Sequence, residues 1–253
     1  TPIRDQKLTR QEEIAYLKLN GIDLDWEKAK YSINKGLWGT SVGGDETLTS
    51  HLALPESAYP SQLESESPKT VKLSFTKGEL TALNGIENPP ELNIQHLDQI
   101  ASKYAIGRDI HVGDTIVGIK GRVGFEAAAA LITVKAHHLL EKHTLTKWQL
   151  QHKDYLSNFY GMHLHEGQYL DPVMRDMEAF LASSQHSVSG EVEIVLKPYH
   201  FLINGITSPH DLMNAKFGSY GEINNGWTAE EAKGFIKING NQNKIHQQVN
   251  SEV

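Results

Sequence analysis

Apolar and polar positions alternate through Val71, Leu73 and Phe75, and Lys77-Gly78 then leads into Glu79-Leu80-Thr81-Ala82-Leu83. A period of two on both sides of a glycine turn predicts a β-hairpin. Val188, Val192, Ile194 and Leu196 alternate in the same way and stop at Lys197-Pro198. His200 to Ile203 reads as the returning strand, with Asn204-Gly205 as a second turn. Residues 108 to 126 are strand-like and punctuated by glycine.

Helical spacing appears elsewhere. Residues 8 to 20 predict a helix, with Thr9 and Glu12 as a capping box and Gly21 as its stop. Ile94, Leu97, Ile100 and Ala101 share one face of a helix over Asn93 to Tyr104. Ala127 to His143 is apolar nearly all round, which predicts a buried helix. Thr146 caps a following helix in which Trp148, Tyr155 and Phe159 recur at helical spacing. Asp171-Pro172 opens another, with Val173, Met177, Phe180 and Leu181 as its stripe. Thr228 to Glu231 is a capping box before a long amphipathic stretch carrying Phe235, Ile236, Ile245 and Val249. Gly234 and Gly240 weaken that helix by about 1 kcal/mol each relative to alanine. Residues 31 to 44 have no clear period and read as a structured loop, and residues 53 to 69, rich in proline and serine, as a loop or linker.

Strand hairpins and helices fall in separate runs, so the expected class is α+β: antiparallel strands and hairpins packed with helices, plus a C-terminal amphipathic helix that needs a partner surface. With 253 residues, of which 39% are hydrophobic, the chain can bury a real core. Its formal charge of −7 provides no basic face, so nucleic acid is not an expected partner. No apolar run has the length of a membrane span. With no cysteine, thiolate metal sites, disulfides and a cysteine nucleophile are excluded. A reducing, cytoplasmic setting fits this composition. Thr1 to Asp5 has neither an initiator methionine nor a signal-peptide apolar region, and the chain reads as a portion of a longer polypeptide.

Candidate chemistry is sparse. Thirteen histidines raise the question of a metal, most densely at His163-Leu-His165-Glu166 and His137-His138. His163 and His165 would share a face only in a strand, and hydrogen-bonded histidines with no metal are the expectation. Gly39-Thr-Ser-Val-Gly-Gly44 either cradles an anion or makes a plain glycine turn; no Gly-Lys-Ser/Thr closes it as a P-loop. Arg108-Asp109, Lys120-Gly-Arg122 and Glu126 set mixed charges among short strands, which either grip a carboxylate or form a solvated face.

Ser32-Ile-Asn-Lys-Gly-Leu-Trp-Gly-Thr-Ser41 with Val42-Gly43-Gly44 resembles the argininosuccinate synthase family. So do Gly107-Arg108, Gly118-Ile-Lys120-Gly-Arg122, Glu126, Leu170-Asp-Pro172, Gly190-Glu-Val192, Ser208-Pro209 and Gly234-Phe235-Ile236, in family order along almost the whole chain. The resemblance implies an enzyme that uses ATP, with Mg, to join citrulline and aspartate into argininosuccinate, with release of AMP and pyrophosphate. The family's Ser-Gly-Gly-Leu-Asp-Thr-Ser and Gly-x-Thr-x-Lys-Gly-Asn-Asp nucleotide segments do not occur here. The implied organisation is a linking helix in residues 1–30 after an N-terminal ATP-binding domain, a synthetase domain in 31–225, and an oligomerisation helix in 226–253 for a homotetramer. On its own the chain is expected to be inactive. A stand-alone amino-acid-binding module or a structural assembly domain are the rival readings.

By the same resemblance, Ser32 and Ser41 match the family's citrulline-contacting serines. A family glutamate and tyrosine fall on Gly113 and Phe125, in a register without gaps from Arg108 through Lys120 and Arg122 to Glu126. Catalytic residues are not assigned. Two ways to make up the lost contacts stay open. Asp114 or Glu126 takes over, or the substrate is an N-acylated citrulline that has no α-ammonium to grip.

Overall fold

The computed structural model describes residues 5–22, 24, 30–214 and 226–251. The N-terminal residues 1–4, part of the linking segment (23 and 25–29) and the end of the expected synthetase domain (215–225) lie outside the described residues. The chain divides into two compact units, Thr1–His210 and Asp211–Val253.

The first unit is α+β with two antiparallel sheets. It starts with α1 (Arg10–Leu19), where Thr9 and Glu12 form the expected capping box and Gly21 follows at φ +78°. One sheet contains β1 (Ser32–Gly36), β2 (Gly39–Gly43), β6 (Arg108–Asp114) and β7 (Lys120–Glu126), in the order β1-β2-β7-β6. The other contains β3 (Lys69–Thr76), β4 (Glu79–Leu83), β5 (Ile86–Glu87), β8 (Gly190–Lys197) and β9 (His200–Thr207), in the order β5-β4-β3-β8-β9.

The second sheet forms the main core, and its alternation is the one read from the sequence. Val71, Leu73 and Phe75 on β3 and Val192, Ile194 and Leu196 on β8 are buried, with their neighbours turned outward. They pack against α2 (Pro90–Ala101) and α3 (Ala128–Thr144) through Leu97, Ala101, Ile132, Ala136 and Leu140. Each such buried leucine, isoleucine or valine contributes about 1.5–3 kcal/mol relative to exposure. Lys77 and Gly78, both at positive φ, make the tight turn expected between β3 and β4.

Several boundaries differ from expectation for physical reasons. Residues 32–43 form a hairpin, not a loop; their polar, glycine-rich strands are held by pairing with β7. Helix α2 starts at Pro90, which suits the first helical turn. Helix α3 is not buried all round, since Leu131 and Val134 are exposed. In α4 (Lys147–His165) no residue is buried, so Trp148, Tyr155 and Phe159 form an exposed stripe. Asp171 caps α5 (Pro172–Ser184) by accepting the Val173 N–H, while its buried apolar side chains are Met174 and Met177. Asn204-Gly205 is not a turn: β9 runs on to Thr207, and a bulge opposite Glu193 and Ile194 absorbs Asn204.

The 53–69 stretch is irregular but anchored. Leu54 and Ala58 are buried against Val42, and the Glu64 and Ser65 N–H groups donate to the Lys103 carbonyl.

In the second unit, Thr228 and Glu231 form the expected capping box for α6 (Ala229–Asn239). At Gly240 the helix gives way to α7 (Asn241–Asn250), so the long helix is interrupted at the second weak glycine and not at Gly234. Both helices lack buried residues. Among the described residues no helix is long and apolar enough to cross a membrane.

Candidate functional site

Side chains on a strand alternate between the two faces of its sheet, and residues paired across strands share a face. In the first sheet Asn34 pairs with Ser41, Ser41 with Phe125, and Phe125 with Asp109. These four residues make one transverse row across β1, β2, β7 and β6. Ser32, two residues from Asn34, has the same parity, as do His111 and Gly113 on β6. Ser32, Ser41, Gly113 and Phe125 therefore lie on one face. Asp114, Lys120, Arg122 and Glu126 lie on the other.

The second face is covered. Thr40 and Val42 are buried there, and Leu54 sits over Gly124, where a Cβ would lie 2.2 Å from Leu54 Cδ1. Arg122 holds the covering segment by donating from Nη1 to the carbonyls of Glu46 and Thr49. Glu126 accepts the Ser61 N–H at 3.1 Å on one oxygen and Arg108 Nε at 3.2 Å on the other. Arg108 also reaches Glu56 and the Ser61 carbonyl, and its guanidinium lies 4.7 Å from the centre of the Tyr59 ring. Burial pushes the Tyr59 hydroxyl pKa up, against the pull of Arg108. Asp114 and Lys120 pair with each other near the exposed hairpin tip. Of the charged cluster seen in the sequence, Arg108, Arg122 and Glu126 thus fasten the sheet to the covering segment on the face away from the serines, while Asp109 shares the serine face.

The first face is open. Ser32, Asn34, Asp109 and His111 are exposed, and Ser41 and Phe125 are half-buried. The His111 ring stands edge-on to Phe125, with centroids 6.2 Å apart and planes at 87°. It also leans over Gly113, where a Cβ would lie 3.0 Å from His111 Nε2. A cavity of about 430 Å³ opens here, lined by Gly107, Asp109, His111, Phe125, Ala127 and Leu131 among others. Two glycines let the chain close up beside it. A Cβ on Gly107 would meet the Ala127–Ala128 peptide at 2.6 Å, and one on Gly39 would meet the Ala127 Cβ at 2.7 Å. Gly39 to Gly44 thus serves strand packing and a turn. Asn34 and His111 were not singled out from sequence, since the signal that finds them is strand parity, which needs the hairpin at 32–43.

The histidine-rich places resolve differently. His163 and His165 lie on α4, where spacing by two does not share a face; His163 Nδ1 contacts the Phe159 carbonyl and His165 Nε2 the Asp114 carbonyl. Among the described residues no group of three or more His, Asp or Glu is placed to hold a metal. His137 and His138 surround the fully buried Glu141, with Nδ1 atoms 3.7 and 3.6 Å from its carboxylate. Lys153 lies 2.8 Å from the same carboxylate, and Gln185 donates to its other oxygen while its amide oxygen meets His137 Nε2 at 3.0 Å. Burial holds the His137 pKa below its ordinary value. This network lines a second cavity, of about 670 Å³, with Phe75, Leu80 and Ile94. It ties α3 to α4 and to the segment after α5.

Residues 31–246 match the family model described as "Arginosuccinate synthase C-terminal domain". The chain is similar to the argininosuccinate synthase of Dictyoglomus turgidum, 35% identical over 247 residues, covering 97% of this chain and 62% of the relative. It is similar to that of Methanocaldococcus jannaschii, 32% identical over 249 residues, covering 97% and 62%. For Xanthomonas campestris pv. campestris the figures are 34% over 255 residues, 98% and 62%. The chain thus spans about 62% of the length of these relatives. A match that takes in both strands of the Ser32–Ser41 hairpin and both strands of the Asp109–Phe125 pair places this chain in the argininosuccinate synthase family.

Proposed function

We propose that this chain supplies the citrulline-binding part of an argininosuccinate synthase, a ligase of arginine biosynthesis and the urea cycle. The reaction joins citrulline and aspartate at the expense of ATP. The ureido oxygen of citrulline displaces pyrophosphate from the α-phosphorus, and the aspartate amine then displaces AMP from the activated carbon. The observation that carries this reading is the placement of Ser32 and Ser41 on one open sheet face. Hydroxyls both donate and accept, so they suit a neutral ureido group or a carboxylate without adding charge.

ATP and its Mg are held outside these residues, whose sequence lacks the family's nucleotide segments. Those belong, in this proposal, to an N-terminal domain joined through residues 1–30. Residues 31–225 act as the synthetase domain and 226–253 as the helix through which copies assemble into a cytoplasmic tetramer. A second reading, a purely structural assembly domain, draws support from the exposed apolar stripes on α4 and α6.

Pyrophosphate release distinguishes the readings. The intact polypeptide that carries these residues is expected to release pyrophosphate only when ATP, citrulline and aspartate are all present, and Ser41→Ala to slow it. The 253-residue chain alone is expected to give no turnover. Robust turnover by that chain would mean the nucleotide site has been misplaced, and no effect of Ser41→Ala would favour the assembly reading.

A further inference from the structure

We infer that Asp109 is the carboxylate that grips the free α-ammonium of the amino acid bound on this face, so that an N-acylated ligand is rejected. The inference rests on the proposed citrulline site and names the group that sets its specificity.

Strand parity eliminates the two carboxylates suggested by sequence order. Glu126 is on the covered face, with one oxygen committed to the Ser61 N–H and the other to Arg108. Asp114 has the covered-face parity and is paired with Lys120. Asp109 has the open-face parity. It stands directly across from Phe125, which stands directly across from Ser41. Two cross-strand steps of about 5 Å separate Ser41 from Asp109. The side chain of an extended amino acid can bridge that gap, with its neutral end at the serines and its charged end at Asp109.

Asp109 is also free to act. It is exposed, it makes no ion pair among the described residues, and its one side-chain hydrogen bond among them is from the Ile110 N–H, 2.7 Å from Oδ1. Oδ2 is left for an incoming donor. The cavity beside it is bounded by Phe125, Leu131 and the His111 ring, which fills the room above Gly113. An acylated nitrogen brings no charge to Asp109 and puts its extra atoms against these walls. The discrimination is the charge-assisted hydrogen bond that the ammonium makes and the acylated nitrogen cannot, together with the bulk of the acyl group.

The test is calorimetric binding of two probes, L-citrulline and N-acetyl-L-citrulline, to the intact polypeptide and to its Asp109→Asn, Asp109→Ala and Ser41→Ala variants, with folding checked by circular dichroism. Loss of one charge-assisted contact weakens binding by roughly tenfold to a hundredfold. Wild type is expected to prefer citrulline by about that factor. Both Asp109 variants are expected to lose citrulline affinity by a similar factor, with N-acetylcitrulline little changed, while Ser41→Ala weakens both probes. If N-acetylcitrulline binds as tightly as citrulline, or if Asp109→Asn leaves citrulline binding within about threefold while Ser41→Ala still weakens it, the inference about Asp109 is overturned and the site reading stands. If neither probe binds, or Ser41→Ala changes nothing, the site reading itself falls and takes the inference with it.

Discussion

Arg108 and Glu126 face each other across β6 and β7, with Nε 3.2 Å from Oε2 and side chains only 10% and 7% exposed. Glu126 also takes the Ser61 N–H, so one carboxylate ties a strand, its neighbour and the covering segment together. Glu126→Ala is expected to destabilise the chain by about 3 kcal/mol, the low end for breaking a buried pair, because Arg108 keeps Glu56 and the Ser61 carbonyl. Urea unfolding of the two proteins measures this. A change within 0.5 kcal/mol, the usual range for a surface site, would contradict the fastening role.

Gly107 and Gly113 lie on the same strand region but differ in what surrounds them. At Gly107 φ is +84° and a Cβ would strike backbone, so Gly107→Ala is expected to cost more than ~2 kcal/mol. At Gly113 the obstacle is the tip of the exposed His111 ring, which can swing into solvent. Gly113→Ala is expected to cost less than about 1 kcal/mol while displacing His111. Thermal unfolding of both variants compares them; equal losses would be inconsistent with this picture.

His137 carries a pH dependence. Desolvation is the largest influence on it, opposed by Glu141 and by the Gln185 hydrogen bond, and assisted by Lys153 and His138; its folded pKa lies below the ordinary 6.5. Between the folded and unfolded values the unfolded chain binds more protons, so stability falls as pH drops through about 6.5. His137→Gln removes this group. The variant is expected to lose less stability than wild type between neutral pH and pH ~5.5, a difference visible in urea midpoints. Parallel curves would rule out the contribution.

Phe235 and Ile236 on α6 and Ile245 and Val249 on α7 are all at least 60% exposed. Removing such surface from water is favourable by ~25 cal/mol per Å², so the chain is expected to associate, as a tetramer in the proposed assembly. Light scattering should give a multiple of the chain mass, falling on deletion of residues 228–253 or in the double variant Phe235→Asp, Ile236→Asp. A wild-type chain already monomeric at micromolar concentration would refute this.

Legibility followed the strength of the apolar alternation. β3 and β8 were readable because Val71, Leu73, Val192 and Ile194 face one core. β1 and β2 were not, because only Val42 among their residues is a buried apolar side chain and their shape comes from pairing with a strand far along the chain. For the same reason Glu126 read as an open site residue: the Ser61 N–H that it accepts is distant in sequence. The capping boxes at Thr9 and Thr228, and the cap at Thr146, were legible because each is complete within four residues; that Gln149 closes a box at Thr146 was not read.

Positions 108, 122, 124 and 126 on β6 and β7, all even, are committed to the covering segment; the odd positions 109, 111, 113 and 125 are not. Mutational drift at the odd positions therefore leaves the fastening of the sheet untouched. A substitution at one of them changes what the open face can hold before it changes how firmly the sheet is fastened.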